Sequence, residues 1–339
     1  MHWLLTGHTG FKGAWLALQL IEAGHEVSGL ALDPEPGALF DAADLGPLMH
    51  TDIRGDIRDA STVRDALAAT RPDVVVHLAA QPLVRESYRD PRTTMETNVM
   101  GTFNVLEAVG ATDSVQAHLL VTTDKVYRNV RQVAGYVESD ALGGHDPYSA
   151  SKAMADLLAQ SWLASFGGPP TAIVRAGNVI GGGDVSTDRL LPDLLRSFAA
   201  GTPAVIRYPQ AVRPWQHVLD CLAGYRLIVD ALIDGDGSGE WNIGPGPESF
   251  VTVGELADLA AGLWGDGATW VGDGSDHPHE AELLALDAAK ARTALGWQDR
   301  LPFEQAVAWT VEWQRRVLGG EHPRVATVAQ LTAFEALAR

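Results

Sequence analysis

Three of the four lysines in this 339-residue chain stand inside short runs that could do chemistry together. Lys152 follows Tyr148 in Tyr148-Ser149-Ala150-Ser151-Lys152, a spacing that puts phenol and ammonium on one face of a helix. An ammonium beside a phenol favours the phenolate, lowers the tyrosine pKa toward neutrality and makes it a usable general base. Lys125 lies in Thr122-Thr123-Asp124-Lys125-Val126-Tyr127, where the Thr123 hydroxyl could bond the substrate oxygen that Tyr148 deprotonates. Asp124 and Lys125 are an acid and a base side by side. A plain alcohol oxidation has no use for them, so they point to a second proton-transfer reaction; the plainer reading is an exposed ion pair, worth little. Lys12 lies in Gly7-His8-Thr9-Gly10-Phe11-Lys12-Gly13. Of 25 lysines and arginines all but four are arginine, so lysine is kept where a compact cation with a tunable pKa matters.

These residues need elements to hold them. Apolar, β-branched runs at His2–Leu5, Glu26–Leu32, His50–Ile53, Val74–Leu78, His118–Thr122 and Thr171–Val174 read as strands. Helical patterns lie between them at Ala14–Ala23, Ser61–Ala69, Thr93–Val109 and Pro147–Phe166. Strands this uniformly apolar are covered by helices on both faces, which predicts an α/β fold with a doubly wound parallel Rossmann sheet. The glycine run then follows the first strand and opens the first helix. There, glycines allow a tight turn and close approach of backbone amides to a pyrophosphate. Gly7, Thr9, Gly10, Phe11, Lys12 and Gly13 are the expected cradle of a dinucleotide, and Asp33 after the second strand would accept both adenosine ribose hydroxyls, which favours NAD over NADP.

After Asn178 the texture turns to glycine, proline and scattered arginine. Gly181–Asp184 and Ile206–Trp215 read as loops over a ligand, Asp220–Ile233 as a helix, and Glu240–Ile243 as a strand that rejoins the sheet. Val253–Leu263 and Asp287–Leu295 read as helices of a smaller lobe. The expected division is 1–178 with 216–244 as the NAD-binding domain, and 179–215 with 245–339 as a substrate-binding lobe. Arginine forks suit phosphate, and Arg85, Arg189, Arg207 and Arg213 are the candidates.

A net charge of −18 argues against nucleic acid, which needs a basic face. No run reaches the ~18 apolar residues that span a bilayer, and the chain opens directly on its first strand, so a cytoplasmic protein is expected. The single cysteine, Cys221, sits among apolar residues and reads as a buried structural thiol. His277-Pro278-His279 lacks a third ligand, and no metal is expected.

The motifs resemble the extended short-chain dehydrogenase/reductases, whose glycine spacing is that of Gly7, Gly10 and Gly13. The likeness runs almost end to end, through Arg175–Asp184, Asp188–Asp193, Arg213–Val218 and His279-Glu280-Ala281. Within that family it is similar to the CDP-glucose 4,6-dehydratases. Epimerases and dTDP-glucose dehydratases usually have an apolar residue at the position of Lys12, and the latter have Asp-Glu where this chain has Asp124-Lys125.

The resemblance implies a catalytic set of Thr123, Asp124, Lys125, Tyr148 and Lys152, with Tyr148 and Lys152 also touching NAD. It implies adenine and ribose contacts from Asp56, Ile57, Leu78, Ala79 and Ala80, and places Asn98 on the helix beneath the triad. Gln81, Asn178 and His217 join the arginines as substrate contacts. The implied reaction is an internal redox cycle on CDP-glucose. Tyr148 takes the 4-hydroxyl proton as hydride leaves C4, Lys125 removes the C5 proton, Asp124 protonates the departing 6-hydroxyl, and hydride returns to C6. Relatives pair through the Pro147–Phe166 helix, which carries Trp162, and through Thr93–Val109, so a homodimer or homotetramer is implied. Two rivals remain open: a sugar-nucleotide 4-epimerase, which has no use for Asp124 and Lys125, and a catalytically silent NAD-binding protein, which needs only the glycine loop.

Overall fold

The strands form where apolar, β-branched residues run together. β1 (His2–Thr6), β2 (Glu26–Ala31), β3 (Thr51–Arg54), β4 (Val74–His77), β5 (Ala117–Val121), β6 (Thr171–Ala176) and β7 (Gly239–Ile243) make one sheet in the order β7-β6-β5-β4-β1-β2-β3. Every pairing in it is parallel. The computed structural model describes residues 1–130, 132, 134–274 and 284–337.

Successive side chains point to opposite faces of the sheet, and each face has its own core. Leu4, Leu30 and Val75 pack with Val63, Leu67 and Val105 on one side. Leu5, Val27 and Val76 pack with Trp15, Leu18 and Leu222 on the other, in a core that continues into Trp264, Trp297 and Trp313. Helices α1 (Phe11–Glu22) and α2 (Ala60–Thr70) follow β1 and β3, and α3 (Thr102–Gly110), α4 (Pro147–Phe166) and α5 (Val218–Asp234) complete the covering. The chain winds outward from β1 in one direction and from β4 in the other, so a crevice opens beyond the carboxyl ends of these two strands, where doubly wound sheets bind ligands.

α4 begins where its residues dictate. Asp146 accepts the Ser149 N–H as N-cap, and Pro147 occupies the first turn, where a missing N–H costs nothing. Five segments differ from the sequence expectation. The helix expected over Thr93–Val109 is interrupted: Pro91–Met95 is α-helical, Glu96–Gly101 is π-helical, and α3 resumes at Thr102. In the stretch expected as loop, Val212–Pro214 pairs antiparallel with Phe250–Thr252. Leu190–Ala199, Phe303–Leu318 and Pro323–Ala336 are helices with no counterpart in the sequence reading. Glu240–Ile243 does rejoin the sheet, as β7 beside β6.

Candidate active site

A cavity of about 1050 Å³ opens at the carboxyl ends of β4, β5 and β6. Its wall includes Lys12, Leu78, Ala80, Thr123, Asp124, Lys125, Tyr148, Lys152 and Asn178, together with Arg85, Arg189, Arg207 and Arg213. Residues from five separate stretches of sequence thus meet in one chamber.

Thr123 stands two residues past β5 and caps a short turn, Asp124–Val126. Its hydroxyl donates to Asp124 Oδ1 at 2.7 Å, and Lys125 Nζ lies 3.4 Å from the same oxygen. Asp124 is fully buried, whereas the Lys125 side chain is 31 % exposed, so the pair joins the interior to the cavity. The other carboxylate oxygen, Oδ2, is buried without a hydrogen-bond partner among the described residues. Gly177 makes room for it, since a Cβ there would stand 3.0 Å from that oxygen.

Tyr148 lies in the first turn of α4, its backbone N–H donated to Ser87 Oγ at 3.1 Å. Its phenol pKa is raised, not lowered: burial pushes it up, while the Lys125 ammonium and a hydrogen bond with Thr123 pull it down. The sequence expectation made Lys152 the tuning cation. In the structure Lys152 donates to the Val121 carbonyl at 2.8 Å, and burial, aided by the nearby Lys12 charge, pushes its ammonium down to about 7. Burial thus opposes the Lys152 charge, and Lys125 supplies the opposing field at Tyr148.

Lys12 reaches over α1 to α5, donating to the Tyr225 hydroxyl at 3.0 Å, with burial lowering its pKa. Tyr225 in turn hydrogen-bonds Cys221, which is fully buried, as expected of a structural thiol.

The arginines are organised by a residue that the sequence reading passed over. Asp188 Oδ1 accepts from Arg85 at 3.2 Å and from Arg207 at 3.1 Å, joining the segment after β4 to the one after Ala204–Ile206. It does so from a left-handed backbone, φ 60°, a strained conformation found where a site requires it. Arg189 pairs with Asp184 at 3.5 Å, and Arg213 donates to the Val212 carbonyl. Asn178 presents a buried Nδ2 with no hydrogen-bond partner among the described residues, on the cavity wall.

The glycine turn fits a dinucleotide. Gly7 has φ +77°, and a Cβ on it would come within 2.7 Å of the Ala79 nitrogen. A Cβ on Gly13 would run into the Gly7 carbonyl and the His8 Cα. Gly10 caps α1 without a side chain, and the first turn holds no acidic residue, so its free N–H groups favour a phosphate. Thr9 ties the loop to the Leu32 carbonyl at 3.1 Å, and the Phe11 ring lies beside Gly181. Asp33 is 91 % exposed, with Arg54 Nε 3.9 Å from its carboxylate, and is accessible to a ribose. Asp56 is gripped by Arg58 at 2.8 and 2.6 Å, and Ile57 packs beneath Gly101.

Of the substrate candidates, Gln81 and His217 stay outside the cavity wall, as do Asn98, Ala79, Asp33, Asp56, Ile57 and the glycine turn apart from Lys12. Gln81 spends its side chain on Leu83 and Thr94 and its backbone N–H on Asn98, so it shapes the turn and leaves no amide for a substrate. His217 is fully buried between Trp15 and Trp309, its Nδ1 accepting the Leu219 N–H and its pKa pushed by burial to about 3. Asn98 is buried too and bonds Gln81 and Ser151.

Besides Asp188, the sequence reading missed Asp156 and Arg175. Arg175 on β6 donates twice to Asp156, one turn beyond Lys152, at 2.8 Å each, and so clamps α4 to the sheet. The polar Arg175 within an apolar strand was the available signal.

No helix among the described residues is long and apolar enough to cross a membrane. The described residues hold no group of three or more metal-ligating side chains, and His277 and His279 lie outside them, as do Glu280 and Ala281.

Comparison with known proteins gives the same lineage. Residues 3–244 match the model of the NAD dependent epimerase/dehydratase family. A CDP-glucose 4,6-dehydratase of Salmonella typhimurium is 44 % identical, over 97 % of this chain and 95 % of its own length. A dTDP-glucose 4,6-dehydratase of Streptomyces antibioticus is 32 % identical over 93 % and 92 %. The crystal structure of a dTDP-glucose 4,6-dehydratase from Streptomyces venezuelae, determined with NAD bound, superposes with a TM-score of 0.81 at 27 % identity, covering 96 % of this chain and all of that one. With a Rossmann sheet, a glycine turn shaped for a pyrophosphate and a matching family model over most of its length, the chain belongs to the NAD dependent epimerase/dehydratase family.

Proposed function

We propose that this chain is an NAD-dependent lyase that converts CDP-glucose to CDP-4-keto-6-deoxyglucose. The observation that carries the reading is the Asp124–Lys125 pair, 3.4 Å apart and within electrostatic reach of Tyr148 in the same cavity. A 4-epimerase has no task for that pair, and a silent NAD-binding protein has none for Tyr148 or Lys152 either. The 44 % identical relative is named for this activity, and it supports the choice of CDP over other nucleotides.

In this reading Gly7, Gly10 and Gly13 hold the pyrophosphate and Asp33 the adenosine ribose. NAD held by these residues would supply the reversible hydride acceptor that the cycle needs. Tyr148 removes the 4-hydroxyl proton with Thr123 orienting that oxygen. Lys125, at the cavity edge, takes the proton from C5 and returns it to C5 when hydride reaches C6. Asp124 delivers a proton to the 6-hydroxyl, which leaves as water. Arg85, Arg189, Arg207 and Arg213 meet the diphosphate, and Asn178 adds a donor. Residues 1–178 with 216–244 form the cofactor-binding domain, and the remainder closes over the sugar nucleotide.

We place the reaction in the cytoplasm and the enzyme in a homodimer or homotetramer. The support for assembly is an apolar strip of Met100, Met154, Leu157 and Phe166, each more than 40 % exposed, beside the Phe103–Trp162 ring contact on α3 and α4. The deciding experiment is incubation with NAD and CDP-, dTDP-, UDP- or GDP-glucose, followed by mass analysis of the products. Loss of one water from the CDP sugar is expected. An equal-mass isomer would establish an epimerase, and no conversion of any sugar would leave a silent binder.

A further inference from the structure

A chain of buried hydrogen bonds runs from the glycine turn to the catalytic helix, and its proton positions are fixed by counting. The Thr102 hydroxyl lies 2.7 Å from the Asn98 carbonyl, which can only accept, so its single hydrogen is spent there. The same oxygen must then accept from His77 Nε2, 3.0 Å away. The neutral ring therefore carries its proton on Nε2 and offers a lone pair at Nδ1, which accepts from the Thr6 hydroxyl at 2.7 Å. Thr6 Oγ1 accepts in turn from the Ala79 N–H at 3.2 Å. Beyond Thr102, Asn98 Nδ2 donates to Ser151 Oγ at 2.8 Å, and Ser151 donates to the Tyr148 carbonyl at 2.7 Å. Thr6, His77, Asn98, Thr102 and Ser151 are all at most 2 % exposed, so water is not available to replace any lost partner.

We infer that His77, held as its Nε2–H tautomer, is a positioning residue that fixes the glycine turn and the start of the catalytic helix relative to each other. Its location makes this physical. Ala79 is the residue against which Gly7 packs, and Asn98 sits in the π-helical segment, where the added residue per turn is a local distortion common at functional sites. His77 touches neither cavity nor reacting atoms; it acts through Ala79 on one side and through Asn98 and Ser151 on the other. The chain has a direction, from the Ala79 N–H through two hydroxyls and one imidazole to the Asn98 carbonyl, so reversing the tautomer leaves at least one buried donor unpaired.

The activity readout rests on the dehydratase reading; the other two readouts do not. Nitrogen-15 NMR of histidine-labelled protein, with the His77 signal assigned by its loss in His77→Gln, should show the Nε2–H form. Thr102→Val, which keeps the shape and removes the acceptor, should orphan the His77 Nε2–H, shift its nitrogen signal and weaken NAD binding in a fluorescence titration. It should also lower kcat for water loss by roughly 10- to 100-fold with KM for the sugar nucleotide little changed, as misplacement of catalytic groups does. Thr102→Ser, which restores the hydroxyl, should recover all three. An Nδ1–H ring in the unaltered protein, or a Thr102→Val protein with unaltered kcat and NAD affinity, would overturn the inference. If the valine variant does not fold, Thr6→Val breaks the other end of the chain and is measured in the same way. A protein whose valine variant shows the shifted Nε2 signal and the loss of NAD affinity, yet which dehydrates no sugar nucleotide, would sink the functional reading and leave this one standing.

Discussion

Lys125 has one neighbour in the interior and one in the cavity, and the two define its work. Toward the interior is Asp124, with one oxygen bonded to Thr123 and the other orphaned; toward the cavity is the phenol of Tyr148. Lys125→Met takes away the amine proposed as the base for C5 but leaves Tyr148, Thr123 and the glycine turn in place. The variant should still oxidise C4, seen as slow exchange of deuterium between C4 of the sugar and reduced cofactor, while releasing no water. Dehydration at the unaltered rate in that variant would remove Lys125 from the mechanism. That Tyr148 with Lys152, and Asp124 with Lys125, stand side by side was legible in the sequence because the pairs are local: an i, i+4 pair and two adjacent residues need only a helix and a turn. Asp188 was not legible, because its partners lie 103 and 19 residues away and its left-handed backbone leaves no mark on composition. Gln81 and His217 were misplaced for the complementary reason. Both stand in motifs that face the site, yet the Gln81 amide is taken up by nearby residues and His217 is buried between two indoles with Nδ1 on the Leu219 N–H, demands that motif spacing does not reveal.

At the scale of elements, the long apolar runs and the capped start of α4 were readable because strand and helix periodicities are intrinsic to the chain. The π-helical interruption at Glu96–Gly101 was not, since it is set by tertiary demands: Gly101 against Ile57, and Asn98 turned inward to Gln81 and Ser151. The helix that matters most for chemistry is α4, because Tyr148 stands in its first turn, where fraying begins. Asp146 holds that turn with Oδ1 on the Ser149 N–H at 2.9 Å and Oδ2 on the Ser149 hydroxyl. Asp146→Ala should cost about 1 kcal/mol of stability, the ordinary worth of an N-cap. It should lower kcat by more than that loss of stability explains, because Tyr148 loses its fixed height above Thr123. Thermal unfolding and steady-state kinetics on one preparation separate the two effects. Asp146→Asn keeps a capping oxygen and should retain most of the activity.

For the whole molecule, two properties follow from what is exposed and what is buried. The strip of Met154 and Leu157 on α4 with Met100 before α3 should be covered by a second copy of the chain. Leu157→Glu places a charge at its centre and should shift the protein to monomers in sedimentation; an unchanged sedimentation coefficient would move the interface elsewhere.

The buried property concerns pH. Burial holds the Lys152 ammonium at about 7 against an ordinary 10.5, so folding opposes its charge. Below pH 7 the group is protonated in folded and unfolded chains alike, and the full cost of burying the charge is present. Between 7 and 10.5 the unfolded chain keeps a proton that the folded one has released, so stability rises with pH across that window. Lys152→Met removes the charge along with the hydrogen bond to Val121, a loss that does not vary with pH. The difference in melting temperature between Lys152→Met and the unaltered protein should therefore move steadily in favour of the unaltered protein from roughly pH 6 to roughly pH 8.5. A difference that stays constant across that range would show that Lys152 keeps its ordinary pKa in the fold, and that its charge, rather than its proximity alone, is available to Tyr148 at neutral pH.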